Sequence, residues 1–167
     1  MTAVQQEFSL VLFKPDIVKR GLVAPAMAQL EFSVLNQKQI EIRQRASLVF
    51  QFTQQQLERH YSHLVTRDFF SQIVADMTRT EVMAMIYGGK PGMIQAIRDV
   101  AGPTDPDKAP DYTIRGKYGF KQGTRIFNAI HSSEDQGFAD AEIANIFPRE
   151  QIARLIPELV DRVYPQG

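Results

Sequence analysis

The sequence predicts an α/β sandwich in which helices cover a four-stranded antiparallel sheet of ferredoxin-like topology. Residues 8–13 (FSLVLF) and 82–87 (VMAMIY) are almost continuously apolar, which is typical of strands buried on both faces of a sheet. Two further candidate strands are less apolar, and helical patterns separate the four. This order fits a split β-α-β sheet with the first and third strands at its centre. A doubly wound parallel sheet, the alternative, needs about six strands.

Three elements are predicted in the first third of the chain. The strand at 8–13 ends before Pro15, which cannot continue a hydrogen-bonded ladder. Apolar residues recur at helical spacing over 23–35, which predicts a helix. Over 40–46, apolar and charged residues alternate. This alternation predicts a strand with one solvated face, at the edge of the sheet and reaching to about residue 52.

Helices dominate the middle of the predicted fold. Thr53 followed by Gln56 is the pattern of a capping box, which opens a helix through residue 63. Another helix is predicted over 68–77. Pro91 suits the first turn of a helix that ends near residue 100.

The last third combines a long loop, a strand and two helices. Residues 102–112 are rich in proline and aspartate, which predicts a loop without regular structure. Residues 126–130 form the last predicted strand. The segments 135–147 and 148–163 have the pattern of amphipathic helices.

Length and composition narrow the class of protein. A chain of 167 residues fits one domain, predicted to span residues 1–167. Its 19 basic and 19 acidic residues balance, which argues against a generic nucleic-acid binder. There is no cysteine, so thiolate chemistry and cysteine metal sites are excluded. The N-terminal residues lack the pattern of a secretory signal, and no apolar run is long enough to cross a membrane. These observations favour a cytoplasmic protein with no membrane partner.

Several cationic side chains are candidates for binding phosphate. Lys14 follows the first buried strand, at a sheet edge where ligands tend to bind, and a lysine there suits phosphate. Arg98, Thr104 and Arg115 surround the long loop, and a guanidinium binds phosphate oxygens as a fork. The alternative is a solvated lysine and ordinary arginines at helix ends.

The pair Phe69 and Phe70 suggests an aromatic contact for a flat ligand. Because the two are adjacent, a helix cannot bury both on one narrow stripe. One of them is therefore available for stacking, and Tyr61 lies on the preceding helix. The alternative is that both pack inside.

His131 is the candidate nucleophile. It ends a strand-like run and precedes a polar turn, and a neutral imidazole can attack phosphorus. Glu142 could orient the ring, and Ser133 could bond that glutamate. The alternative is a structural histidine. His60 and His63 lie on a polar helix and are predicted to face solvent.

Other phosphate and metal motifs are absent from the sequence. It contains no HExxH, no EF-hand loop and no GxxxxGK[ST] phosphate loop, and no spacing of a metal cage. The run GGKPG at 88–92 lacks the phosphate-loop pattern and is interpreted as a turn. Phosphates, if bound, would be held by side chains.

Four segments together resemble the nucleoside diphosphate kinase family. They are KPDIVKRGLV, HYSHLVTRDFF, GPTDP with TIRG, and NAIHSSED, in the family's order and approximate spacing over residues 8–147. The resemblance implies transfer of the γ-phosphate from a nucleoside triphosphate to a nucleoside diphosphate. It further implies a ping-pong route through a phosphohistidine, with magnesium (Mg²⁺) carried by the nucleotide.

The resemblance also implies a role for each candidate residue. His131 matches the phosphorylated histidine, Glu142 the glutamate that orients it, and Ser133 the serine two positions after it. Lys14 resembles the lysine that contacts phosphate, and Tyr61 lies beside the nucleophile. The implied nucleotide contacts are Lys14, Phe69 on the base, Arg98, Thr104 and Arg115 on phosphate, and Asn128 on the sugar hydroxyl.

The sequence also departs from the family pattern. Ser132 and Glu134 replace a glycine and an aspartate after the histidine, and Tyr112 and Lys117 alter the TIRG segment. Extra residues lie between Lys14 and Tyr61, and a smaller number lie between Arg115 and Asn128. A homo-oligomer, a hexamer or a tetramer of dimers, is implied by the resemblance. A catalytically weak nucleotide-binding or scaffold paralogue stays open as the alternative function, and a nucleic-acid partner is disfavoured by the neutral charge.

Overall fold

The computed structural model describes residues 5–166 of the chain. Its elements in the first half are β1 (Glu7–Phe13), α1 (Pro15–Lys19), α2 (Val23–Lys38), β2 (Arg43–Phe50), α3 (Gln54–His60), α4 (Phe70–Thr78) and β3 (Val82–Gly89). Those in the second half are α5 (Met93–Ala101), α6 (Ile114–Tyr118), β4 (Phe120–Gln122), β5 (Arg125–Phe127), β6 (Ile130–Ser132), α7 (Gln136–Ile146), α8 (Arg149–Leu155) and α9 (Val160–Val163).

The main sheet has four antiparallel strands in the order β2-β3-β1-β6. The predicted fold class is therefore confirmed, with β1 and β3 at the centre and β2 at an edge. In the register of the sheet, Leu12 of β1 lies opposite His131 of β6. This pairing brings His131 next to the end of β1, where Lys14 follows.

Two hydrophobic cores lie on opposite faces of the sheet. Val11 and Phe13 of β1 pack into the core that contains buried residues of α2 and α5, whereas Leu10 and Leu12 pack into the core that contains those of α7 and α8. Alternate residues of one strand thus enter different cores, which explains the continuous apolar run in the sequence. Each such side chain stabilises the fold by about 1.5–3 kcal/mol.

The prediction of a last strand over 126–130 was wrong. Arg125–Phe127 instead pairs with Phe120–Gln122 in a separate hairpin, and the strand of the main sheet is Ile130–Ser132. Ala129 has a φ of 67°, and the Ile130 amide donates to the Asn128 carbonyl at 2.7 Å. This tight turn breaks the apolar run into two strands of different sheets.

Helix boundaries also differ from the sequence prediction. Pro91 lies outside α5, which begins after Gly92 with a φ of 95°. The capping box of Thr53 and Gln56 is present, but α3 ends at His60, before a 3₁₀ turn. Pro157 interrupts the predicted C-terminal helix, which becomes α8, a 3₁₀ turn and α9.

The long loop contains more structure than its composition predicts. Pro106–Lys108 forms a 3₁₀ turn. The short helix α6, which the sequence analysis missed, begins where the Thr113 side chain accepts a hydrogen bond from the Gly116 amide at 3.0 Å. Elsewhere, no helix within residues 5–166 has the length and apolar character needed to cross a bilayer.

Candidate active site

One cavity of about 660 Å³ gathers most of the candidate residues. They come from the end of β1, the α3 segment, α5, the long loop, α6, β6 and α7, which all reach the same end of the sheet. The candidates that line the cavity are Lys14, Tyr61, Arg98, Thr104, Arg115, Asn128, His131 and Glu142.

His131 presents one bonded ring nitrogen and one without a described bond. Its Nε2 lies 2.8 Å from Oε2 of Glu142, and its side chain is 21% exposed. Residues 5–166 supply no hydrogen bond to Nδ1 in the structure. Burial lowers the pKa of His131, and the charges of Lys14 and Arg115 lower it further. The ring is therefore neutral at neutral pH and can act as a nucleophile through Nδ1.

Glu142 is a buried carboxylate held by two contacts. Besides His131, it accepts a hydrogen bond from the Ser133 hydroxyl at 3.1 Å. Ser133 is itself fixed because its Oγ accepts from the Leu10 amide at 2.9 Å. Burial raises the pKa of Glu142 to about 7. The position of the carboxylate is thus set by β1 through Ser133, although Glu142 belongs to α7.

Lys14 and Asn128 connect the end of β1 with the long loop. The Lys14 ammonium donates to Asn128 Oδ1 at 2.7 Å, and Asn128 Nδ2 donates to the Thr104 carbonyl at 3.1 Å. Burial, with a contribution from the Arg115 charge, lowers the pKa of Lys14 to about 8. Lys14 is therefore charged below that pH and points into the cavity.

Arg115 is the most firmly held cation of the cavity. Its Nη1 donates to the Gly102 carbonyl at 2.6 Å, and Nε and Nη2 donate to the Ile130 carbonyl at 3.3 and 3.0 Å. A side chain at Gly102 would collide with Thr113, at 2.6 Å from its Oγ1. Glycine therefore allows the loop to approach α6 closely enough to hold the guanidinium.

Arg98 is held much more loosely than Arg115. It is exposed on α5, and its one described hydrogen bond is a long contact of 3.5 Å to the Glu134 carbonyl. Arg98, Lys14 and Arg115 nevertheless line the same cavity. Three cations around one space attract a polyphosphate without a glycine-rich loop.

Phe69 does not join the other candidates. It lines a separate, smaller cavity with Thr66, Arg67 and Asp68, and the Arg67 guanidinium lies 5.7 Å from its ring centroid. Phe69 is 48% exposed whereas Phe70 is 8% exposed. The prediction that one of this pair is exposed is confirmed, but the ring is separate from the cationic cavity in this structure.

His60 was wrongly predicted to face solvent. Its ring centroid lies 4.5 Å from that of His131 and 4.6 Å from that of Tyr61. Burial lowers the pKa of His60 to about 3, so the ring is neutral. The spacing of Leu57, His60 and Tyr61 (i, i+3, i+4) could have revealed it, since Leu57 is fully buried on the same stripe. His63 is exposed, as predicted.

The fold and the cavity together define a class of protein. A neutral histidine beside three cations, on a ferredoxin-like sheet, has the chemistry of a phosphotransferase.

Comparison with known proteins gives the family. The family model described as nucleoside diphosphate kinase matches residues 7–152. Nucleoside diphosphate kinases of Pyrococcus horikoshii and Pelotomaculum thermopropionicum are 30% and 34% identical to this chain. The alignments cover 98% of both chains for the first, and 95% of this chain and 99% of the relative for the second. A halophilic nucleoside diphosphate kinase from Halobacterium salinarum, solved in complex with CDP, superposes with a TM-score of 0.75 at 29% identity, covering 88% of this chain and 91% of that one. The chain belongs to the nucleoside diphosphate kinase family.

Proposed function

We propose that this protein transfers the γ-phosphate of a nucleoside triphosphate to a nucleoside diphosphate through a phosphohistidine at His131. One observation carries the proposal: His131 Nε2 is bonded to Glu142 at 2.8 Å, inside a cavity lined by Lys14, Arg98 and Arg115. The bond fixes the ring and leaves Nδ1 as the attacking atom. The three cations supply the charge that holds and polarises a polyphosphate.

The reaction consists of two opposite displacements at phosphorus. In the first, the lone pair of His131 Nδ1 forms a bond to the γ-phosphorus, and the bond from that phosphorus to the bridging oxygen breaks. The electron pair leaves with the nucleoside diphosphate. Glu142, as a carboxylate, accepts the hydrogen bond from Nε2–H and stabilises the positive charge that develops on the ring. In the second, a terminal oxygen of another diphosphate attacks the phosphorus, and the nitrogen–phosphorus bond breaks.

The remaining cavity residues have roles that follow from their chemistry. Lys14, Arg98 and Arg115 hold phosphate oxygens, and the Thr104 hydroxyl donates one further hydrogen bond. Tyr61, whose pKa is raised by burial, keeps its proton beside the nucleophile. At an effective dielectric of about 20, each charge pair at about 4 Å is worth roughly 4 kcal/mol before desolvation. Such energies are large enough for side chains alone to bind the phosphates.

The nucleoside end relies on weaker contacts in this proposal. Asn128 reaches a sugar hydroxyl, and its amide is already oriented by Lys14 and the Thr104 carbonyl. Phe69 stacks on the base. Stacking discriminates little between bases, because every base has an aromatic face. We therefore expect broad nucleotide tolerance.

The proposal also covers the metal ion, the domain, the cellular compartment and the oligomeric state. Magnesium arrives with the nucleotide as part of the substrate, since magnesium prefers oxygen ligands and the phosphates supply them. The whole chain, residues 1–167, acts as one domain. It works in the cytoplasm as a homo-oligomer, a hexamer or a tetramer of dimers.

The main alternative is a catalytically weak nucleotide-binding or scaffold paralogue. It is the weaker hypothesis. Keeping the Glu142 carboxylate buried costs stability, and a module that only binds nucleotide needs no buried carboxylate bonded to a histidine. The neutral net charge still argues against a nucleic-acid partner.

The test is the mass of the intact protein after incubation with magnesium and ATP. We expect one acid-labile phosphate on the wild type, discharged when GDP is added, and none on His131→Ala. His63→Ala, which changes an exposed histidine, is the matched control and should gain the phosphate. Nucleotide binding without any adduct on the wild type would overturn the kinase proposal and favour the paralogue.

A further inference from the structure

Three metal-ligating side chains meet on one side of the cavity. His60, His131 and Glu142 each offer one ligand atom, and these atoms lie within 4.8 Å of one another. The two imidazole rings meet at a centroid distance of 4.5 Å and an angle of 68°. Two histidines and a carboxylate are a donor set typical of zinc and related divalent metals.

His60 provides an independent observation at the same place. Both of its ring nitrogens are shielded from solvent and have no hydrogen-bond partner within the described residues. Leaving a buried polar group unpaired destabilises the folded protein. Such a group in a folded protein calls for an explanation, and a bound ion is one of the few available.

We propose that His60, His131 and Glu142 bind a zinc-class divalent ion that inhibits phosphate transfer. This ion is distinct from the magnesium that accompanies the nucleotide, because magnesium prefers oxygen ligands and imidazole nitrogen suits zinc. The binding site stands independently of the proposed function, whereas the inhibitory effect rests on it.

The site needs only a small adjustment to close around an ion. Ligand atoms about 2.0–2.2 Å from a tetrahedral zinc lie roughly 3.3 Å from each other, which is closer than the 4.8 Å limit within which these atoms lie. The His60 ring lies 4.6 Å from the Tyr61 ring and 5.8 Å from the Phe52 ring, measured between centroids. His131 Nε2 and Glu142 Oε2 are only 2.8 Å apart, so these two atoms must separate slightly to admit an ion between them. The cavity leaves space for a water or a phosphate oxygen as the fourth ligand.

Of the side chains around the proposed site, one favours metal binding and two oppose it. Ser133 donates to Glu142 and orients the carboxylate, which is the usual task of a residue behind a metal ligand. Lys14 and Arg115 line the same cavity, and their charges repel a dication. We therefore expect reversible binding, weaker than that of a structural zinc site.

Metal binding would remove the features on which the nucleophile depends. The ion takes the place of the proton on His131 Nε2, and because a ligating imidazole is neutral that proton moves to Nδ1, which removes the attacking lone pair. It also withdraws electron density from the imidazole ring, and the carboxylate no longer orients the nucleophile. Formation of the phosphohistidine is then slowed.

Binding is tested first by equilibrium dialysis of the full chain against zinc chloride, without nucleotide. We expect one zinc per chain, with affinity reduced at least about tenfold in His60→Ala and in the isosteric Glu142→Gln. His63→Ala is the matched control and should bind like the wild type. Cobalt(II) is a second probe, since an intense visible absorption reports a four-coordinate ion. Equal zinc affinity of the wild type and His60→Ala, or no retained zinc, would overturn the proposal.

Inhibition is tested separately, by measuring adduct formation from excess magnesium–ATP while the free zinc is raised. We expect zinc to slow adduct formation on the wild type and to have at least about tenfold less effect on His60→Ala. Equal inhibition of both proteins would show that zinc acts by chelating ATP, and would overturn the inhibitory role. If no adduct forms even without zinc, the phosphotransfer proposal fails while dialysis still decides the metal site.

Discussion

The two ends of the candidate nucleotide site are built differently. At the phosphate end, Arg115 and Lys14 are fixed by hydrogen bonds to backbone and side chains of other elements. At the base end, Phe69 is half exposed on a loop, and the Arg67 guanidinium lies 5.7 Å from its ring centroid. Charges that are oriented before the substrate arrives need no reorganisation during the reaction. We therefore expect the phosphate end to supply most of the rate acceleration and the base end to contribute only affinity.

Among the substitutions that test this difference between the two ends, Arg115→Ala is expected to lower kcat/KM most. The substitution removes a charge from the cavity and leaves the Gly102 and Ile130 carbonyls without a donor. A loss of about 2–4 kcal/mol would lower kcat/KM by about 30- to 1000-fold, measured by steady-state kinetics with ATP and a second diphosphate.

Two further variants determine whether activity depends on the orientation of the cationic side chains or only on their charge. Arg115→Lys keeps the charge but not the fork of donors, so we expect it to recover only part of the activity. Arg98→Ala removes a cation with one 3.5 Å contact and should cost about tenfold or less. A larger loss for Arg98→Ala than for Arg115→Ala would contradict this expectation.

The second prediction concerns pH. A protonated Glu142 would donate to Nε2 of His131 and force the ring proton onto Nδ1, which removes the attacking lone pair. Since the pKa of Glu142 is raised to about 7, kcat/KM should fall as the pH drops below 7. Since the pKa of Lys14 is lowered to about 8, kcat/KM should also fall as the pH rises above 8, when the phosphates lose a cation. A pH profile of kcat/KM, which reports the free enzyme, should be bell-shaped, with each limb losing about tenfold per pH unit.

The third prediction concerns two substitutions near Glu142 that should shift only the acidic limb of this pH profile. The Ser133 hydrogen bond lowers the pKa of Glu142, and the charge of Asp135 raises it. Ser133→Ala should therefore shift the acidic limb to higher pH. Asp135→Asn should shift it to lower pH while keeping the cap of α7, because asparagine is also a good N-cap. Unchanged limbs in both variants would show that another group controls the acidic side.

The residues of the phosphate end were also easier to predict from the sequence than the turn, hairpin and helix face around them. Continuous apolar runs predicted β1 and β3, and the end of β1 fixes the position of Lys14. The antiparallel pairing of β6 with β1 then brings His131 beside it. The pattern of a capping box correctly predicted the start of α3 at Thr53.

The missed features leave little trace in a single sequence. Residues of β4 are exposed, so the hairpin shows no alternation between core and solvent. Ala129 adopts a positive φ, which is uncommon for a residue with a side chain. His60 was assigned to solvent from its polar neighbours, although its spacing from Leu57 indicates the buried face of α3.

The smallest effect is expected from Phe69→Ala. Stacking on a base contributes about 1–3 kcal/mol, and an exposed ring lies at the low end of this range, so KM should rise about fivefold to tenfold. We expect kcat to change little and the increase in KM to be similar for ATP and GTP, because stacking does not distinguish their bases.

Phe70→Ala is the matched control. Its ring is buried, so it should lower thermal stability instead of raising KM. If Phe69→Ala leaves KM unchanged for both nucleotides, the base does not contact this ring, and the phosphate end alone accounts for binding.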